Sequence, residues 1–252
     1  MKLLLDTANL DDIKYFNEYY PIVGVTTNPT ILSREGGDIV AHLKEIRNII
    51  GDDKELHVQV TERSYEGIIE EAKAIVYLLG NNTFVKIPAT DVGIKATQYL
   101  TSKGFSVTMT AILSPSQAML ASNAGAAYVA PYVSRLENIC DDGIEIVAEI
   151  QKMFNVSGTK TEIIAASFKT VRQVLNVALA GAGAATVGTE VMTNLLNHTS
   201  TDTSIAGFYS DWVNAFGDVT LRELISQSSG ASKSDVYYDR KKEFGDLIAK
   251  PK

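Results

Sequence analysis

The chain has 252 residues, 45% of them hydrophobic and 21% charged, with a net charge of −7. That is ordinary globular composition with apolar material for a large core, and the length fits two small domains or one α/β barrel. The acidic balance, without a long run of one sign, argues against a nucleic-acid partner; the single Cys140 excludes an internal disulfide framework and suits a reducing compartment.

The first strand reads as Leu3 to Leu5, in an N-terminal apolar run too short for a signal peptide. No stretch approaches the roughly 18 apolar residues of a membrane span, so no membrane partner is expected and the default location is cytoplasmic. Asn9 can cap a helix through Leu10, Ile13 and Phe16. Val23 to Thr26 is the second strand, and Asn28-Pro29 then reads as N-cap and first helical turn. Leu56 to Val60 is the third, followed by a helix with Ile68, Ile69, Ala72, Ile75 and Val76 on one face.

Thr83 to Ile87, closed by Pro88, is a β-branched and aromatic fourth strand, yet it contains Lys86. A buried lysine tends to lose its proton, and a neutral amine at a strand end is what Schiff-base chemistry needs. A lysine that snorkels out of the strand or pairs with a carboxylate is the alternative. A helix follows near Val92 to Thr101. Phe105 to Met109 is the fifth strand, and Ser114-Pro-Ser-Gln117 reads as a capping box. Ala127 to Ala130 is the sixth, ended by Pro131, with a helix from Gly143 to Phe154. Glu162 to Ala166 is the seventh, before a second capping box at Thr170-Val-Arg-Gln173. Ala185 to Val187 is the eighth, with helices near Thr189 to Asn197 and Asp202 to Phe216.

Eight strands alternating with helices, without a composition break, predict a single-domain (β/α)₈ TIM barrel over residues 1–217; a doubly wound sheet is the runner-up. Residues 218–252 form a C-terminal extension. Thr220 opens one more helix, Ser226 to Ser234 reads as a flexible linker, and a mixed-charge tail follows. The three histidines show no metal-ligand spacing, so no metal or other cofactor is expected. Cys140 reads as a bystander thiol.

In such a barrel the chemistry sits at the C-terminal strand ends. There the sequence offers Asp6, Thr26, Thr27, Asn28, Gln59, Lys86, Thr110, Tyr132 and Ser167. One lysine, one acid, one phenol and several hydroxyls and amides suit carbonyl chemistry. Singly, each has a duller reading: Asp6 and Ser167 as helix caps, Gln59 satisfying a loop amide, Tyr132 as a rim aromatic, Arg135 as a surface ion pair.

Gly24-Val-Thr-Thr-Asn-Pro-Thr30, Val85-Lys-Ile-Pro88, Tyr128-Val-Ala-Pro-Tyr-Val133 with Arg135, and Ala165-Ala-Ser-Phe-Lys169 resemble the transaldolase family, in its short-chain branch that includes fructose-6-phosphate aldolase. The resemblance runs from Met1 to about Gly217. It implies imine formation at Lys86. Asp6, Asn28 and Thr26 would surround the amine and the substrate hydroxyls. Tyr132 would transfer a proton through a water held by Gln59 and Thr110, and Arg135 and Ser167 would bind the phosphate. Transaldolases of the family usually carry glutamate where Gln59 stands and phenylalanine where Tyr132 stands. The pair here therefore resembles the aldolase, which splits fructose 6-phosphate into dihydroxyacetone and glyceraldehyde 3-phosphate; the alternative is a transaldolase. The implied partners are sugar phosphate, dihydroxyacetone and further copies of the chain, as a pentamer or decamer. A non-catalytic phosphosugar-binding barrel is the remaining reading.

Overall fold

The computed structural model describes residues 1–138 and 142–229. Eight parallel strands hydrogen-bond in sequence order: β1 (Lys2–Asp6), β2 (Gly24–Thr26), β3 (Glu55–Gln59), β4 (Thr83–Pro88), β5 (Val107–Ile112), β6 (Tyr128–Pro131), β7 (Glu162–Ala165) and β8 (Ala184–Val187). β8 pairs with β1 and closes the sheet, so the fold is the expected (β/α)₈ barrel. The helices between strands are α1 (Leu10–Tyr19), α2 (Pro29–Glu35), α3 (Ile39–Ile50), α4 (Tyr65–Leu79), α5 (Asp91–Ser102), α6 (Pro115–Asn123), α7 (Val133–Glu137), α8 (Gly143–Ser157) and α9 (Val171–Leu179), with α10 (Thr189–Leu196) after β8. Met1–Leu196 is one compact unit. A second begins at Asn197 and contains α11 (Thr199–Phe216) and α12 (Leu221–Ser229).

The strands carry buried residues on both faces, as parallel strands covered by helices must. Outward-facing Val25, Leu56, Val85, Ile87, Met109 and Ile163 are each fully buried in the core between sheet and helices. Each such side chain stabilises the fold by roughly 1.5–3 kcal/mol. Inside the barrel, Leu4, Tyr128, Ala130, Ile164 and Ala184 form a smaller apolar layer with Phe84. β2 and β3 approach so closely at Gly24 that a Cβ there would lie 2.3 Å from the Glu55 carbonyl oxygen, which explains the first glycine of the Gly24–Thr30 motif.

Four local features differ from the sequence reading. α3 was not anticipated, although Asp38 caps it and Leu43, Ile46 and Ile50 form its buried face. The fifth strand starts later and runs further, at Val107–Ile112, because Phe105 is still held by the Leu100 carbonyl of the preceding turn. Ser114 caps α6, but the Gln117 side chain accepts from the N–H of Leu113 instead of Ser114, so that box is half formed; the box at Thr170 is complete. Ser226 to Ser229, expected to be linker, belongs to α12; the rest of that linker, the tail from Asp235 and Cys140 lie outside the described residues.

Candidate active site

Lys86 is on the inner face of β4 and only 6% exposed. The snorkelling alternative is thereby removed. Burial pushes its amine below the usual lysine range, while the Asp6 carboxylate pulls the other way. Asp6, at the end of β1, is the mirror case: burial pushes its carboxyl up, opposed by Lys86 and by the Thr26 hydroxyl. The two influence each other without a direct ion pair. Thr26 Oγ1 donates to Asp6 Oδ1 at 2.7 Å and lies 2.6 Å from Thr186 Oγ1 of β8. Lys86 Nζ donates to the Thr27 carbonyl at 2.8 Å.

Asp6 is not a helix cap; Asn9 takes that position, accepting from the N–H groups of Asp11 and Asp12. Asn28 does cap α2, its Oδ1 accepting from Ile31 N at 2.9 Å. Gln59 pairs in register with Lys86, and the two-residue alternation of β3 gives it the same face as His57, whose ring lies inside the barrel.

The opposite side of the mouth is built from β5, β6 and β7. Thr110 Oγ1 and Tyr132 Oη are 2.8 Å apart. The Arg135 guanidinium carbon stands 4.7 Å from the centre of the Tyr132 ring, so Arg135 stacks on the phenol and is not a surface ion pair among the described residues. Ser167 is not a cap either, since Thr170 caps α9. Its carbonyl accepts from Ser134 N at 2.9 Å, which ties the α7 turn bearing Arg135 to the end of β7.

Among the described residues, the only non-glycine residues with positive φ are Ala111 (57°) and Ser167 (65°). Each sits beside a candidate site residue or is one. A left-handed non-glycine residue costs on the order of 1–3 kcal/mol, and such strain concentrates at functional sites. Ala111 lies within the register shift between Met109 and Ile112, where a bulge turns the end of β5.

Sequence reasoning placed Thr27 at a strand end but gave it no role. Its contribution is a backbone carbonyl, which no side-chain pattern announces. Below the mouth, a polar chain runs from buried Thr108 and His57 through Glu55 and Tyr128 to the half-exposed pair Lys2 and Glu162. No sequence motif pointed to it. A groove of about 730 Å³ lies among α2, α3 and α4, lined by Leu32, Ile39, Leu43, Ile75 and Leu78 and reaching Val58 and Gln59 at the end of β3. It is apolar and lacks the site's lysine, phenol and arginine. Among the described residues no helix is long and apolar enough to cross a membrane, and no cluster of His, Cys, Asp or Glu could hold a metal ion.

The family model described as "Transaldolase/Fructose-6-phosphate aldolase" matches residues 3–229. A Symbiobacterium thermophilum protein named "Probable transaldolase" is 42% identical over 219 residues, covering 87% of this chain and 100% of its own. A Streptococcus pneumoniae protein named "Probable fructose-6-phosphate aldolase" is 38% identical over 213 residues, covering 84% of this chain and 96% of its own. Among solved structures, flavocytochrome b2 with sulfite bound superimposes with a TM-score of 0.53 at 13% identity over 75% of this chain. This chain spans 56% of that one, and the likeness is of fold alone.

Proposed function

Because the chain belongs to the transaldolase/fructose-6-phosphate aldolase family, we propose that it is a class I, Schiff-base aldolase that cleaves fructose 6-phosphate to dihydroxyacetone and glyceraldehyde 3-phosphate and runs the reverse addition. The observation that carries this reading is Lys86: an amine sealed inside the barrel, its basicity lowered by burial, within the field of Asp6. A neutral amine is the form that attacks a ketone.

In this reading Lys86 Nζ adds to the ketose C2 and water leaves, giving the protonated imine. Tyr132, left as the phenolate once it has supplied the proton that imine formation consumes, takes the proton of the C4 hydroxyl through a water held by Gln59 and Thr110. The C3–C4 bond then breaks, its electron pair passes into the imine to form an enamine, and glyceraldehyde 3-phosphate departs. Protonation at C3 and hydrolysis release dihydroxyacetone and regenerate the amine. Asp6, Thr26 and Asn28 hold substrate hydroxyls. Arg135 presents a planar fork to the phosphate, with the Ser167 hydroxyl as a further donor.

Borohydride added with dihydroxyacetone should fix a three-carbon adduct on the peptide containing Lys86, and Lys86→Met should abolish both adduct and cleavage. An adduct elsewhere, or full activity in Lys86→Met, would reject the reading. The second reading is a transaldolase, favoured by the name of the 42%-identical relative. Cleavage that strictly requires erythrose 4-phosphate would favour it; cleavage without an acceptor favours the aldolase. The expectation that the chain works in the cytoplasm as a homo-oligomer belongs to this proposal too.

A further inference from the structure

The Lys86 amine has one hydrogen bond among the described residues, and it is to main chain: Nζ to the Thr27 carbonyl at 2.8 Å. A lysine on four methylenes carries several rotatable bonds, so a reactive one needs something to fix its nitrogen. The Thr27 carbonyl can do so only if it is itself fixed, and Thr27 lies one residue beyond the end of β2. Two bonds hold it there. Its N–H donates to the His57 carbonyl at 2.9 Å, and its hydroxyl donates to that same oxygen at 3.1 Å. Thr27 is fully buried.

His57, the anchor, is also fully buried and immobilised. Its ring stacks on Phe84 at 4.6 Å and 9°, with Nδ1 2.9 Å from Thr108 Oγ1 and Nε2 3.1 Å from Glu55 Oε2. The path from the barrel interior to the amine is thus His57 carbonyl, Thr27, Lys86. Resting on the imine-forming role given to Lys86, we propose that Thr27 is a positioning residue: its hydroxyl clamps its own carbonyl to β3, and that carbonyl aims the Lys86 amine at the substrate ketone.

An ammonium donates to a carbonyl more strongly than an amine does, so this bond holds the Lys86 pKa higher than burial alone would leave it. The titratable groups on the strands around Lys86 are Asp6 on β1 and His57 on β3, Tyr132 just beyond β6, and in the layer below Lys2, Glu55, Tyr128 and Glu162, and none is changed by substituting Thr27. Thr27→Val keeps the volume and the N–H anchor but removes the hydroxyl clamp; Thr27→Ser keeps the hydroxyl. Two measurements apply to each: the rate of borohydride-trapped adduct with dihydroxyacetone, and the pH midpoint for acetic-anhydride labelling of Lys86, read by peptide mass. Thr27→Val is expected to trap about tenfold more slowly, with a labelling midpoint about one pH unit lower, a shift equivalent to that same tenfold factor. Thr27→Ser should stay near wild type in both. An unchanged midpoint in Thr27→Val overturns the proposal, whether the rate falls or not, because a lost fraction of folded protein cannot move a titration. Thr27→Ala is read in the same way should the valine variant not fold. A wild type that traps no adduct refutes the aldolase reading instead, and the labelling midpoint still tests the clamp.

Discussion

Tyr132 shows how one side chain can serve two neighbours. Its hydroxyl meets Thr110 at 2.8 Å while its ring lies under Arg135. Tyr132→Phe separates these contacts, since the ring stays and the hydroxyl goes. A general acid–base group contributes typically 10²–10⁴-fold, so kcat for fructose 6-phosphate cleavage should fall by about that range. KM should change little, because Arg135 keeps its aromatic support for the phosphate. Steady-state kinetics check this, and an unchanged kcat would remove Tyr132 from proton transfer. Adding Gln59→Glu supplies a carboxylate that can activate water directly, so the double variant should move towards transfer to erythrose 4-phosphate. Much of this site was legible because lysine, phenol and acid stand out against apolar strands. Thr27 and the stack of Arg135 on Tyr132 were not: one acts through its backbone, and the other depends on a turn whose path only the fold defines.

Strand β3 carries two titratable groups, Glu55 and His57, at alternate positions facing the barrel interior, with the neutral amide of Gln59 next in the same row. Burial lowers the His57 pKa, against the pull of Glu55. Burial would raise that of Glu55, but its bonds to His57 and Tyr128 outweigh it and the net direction is down. The phenol of Tyr128 is pushed up to about 12, chiefly by burial. For stability the sign follows directly. Below the unfolded histidine pKa of about 6.5 the unfolded chain binds a proton that folded His57 refuses, so stability falls as pH drops towards the folded value. Glu55 acts in the same direction at lower pH: its contribution is present above the unfolded pKa of about 4.3 and is lost as pH falls through the folded one. Urea unfolding at pH 7, 6 and 5 should show a decline of at most about 1.4 kcal/mol per pH unit from the single proton of His57. His57→Phe, which can keep the stack on Phe84, should flatten the dependence between pH 7 and 5; a slope that persists would assign it elsewhere. At this scale the sequence was most readable where period and caps coincide, as at β4 and α9. The β5 boundary was obscured because aromatic Phe105 has strand-like character yet lies in the turn after α5.

The whole chain presents a contrast between its two units. In Met1–Leu196 the helices bury apolar faces against the barrel. In the second unit, the 18 residues of α11 bury no side chain, and Ile205, Phe208, Tyr209 and Phe216 are 59, 72, 63 and 56% exposed. Their spacing, with Trp212 between, draws one apolar stripe along the helix. A stripe of that extent seldom stays open to water in a monomer, and we propose that further copies of the chain cover it. Charge does not oppose association strongly, since −7 is modest for 252 residues. We therefore expect sedimentation velocity to show an oligomer at micromolar concentration. Ile205→Asp combined with Phe208→Asp should shift it towards smaller species. Losing burial of two such side chains, at roughly 1.5–3 kcal/mol each, weakens association by at least about a hundredfold. The barrel should keep its circular dichroism and its borohydride adduct at Lys86, because neither substitution lies in Met1–Leu196. A monomeric wild type, or an unaltered sedimentation coefficient in the double variant, would exclude α11 as the covered face.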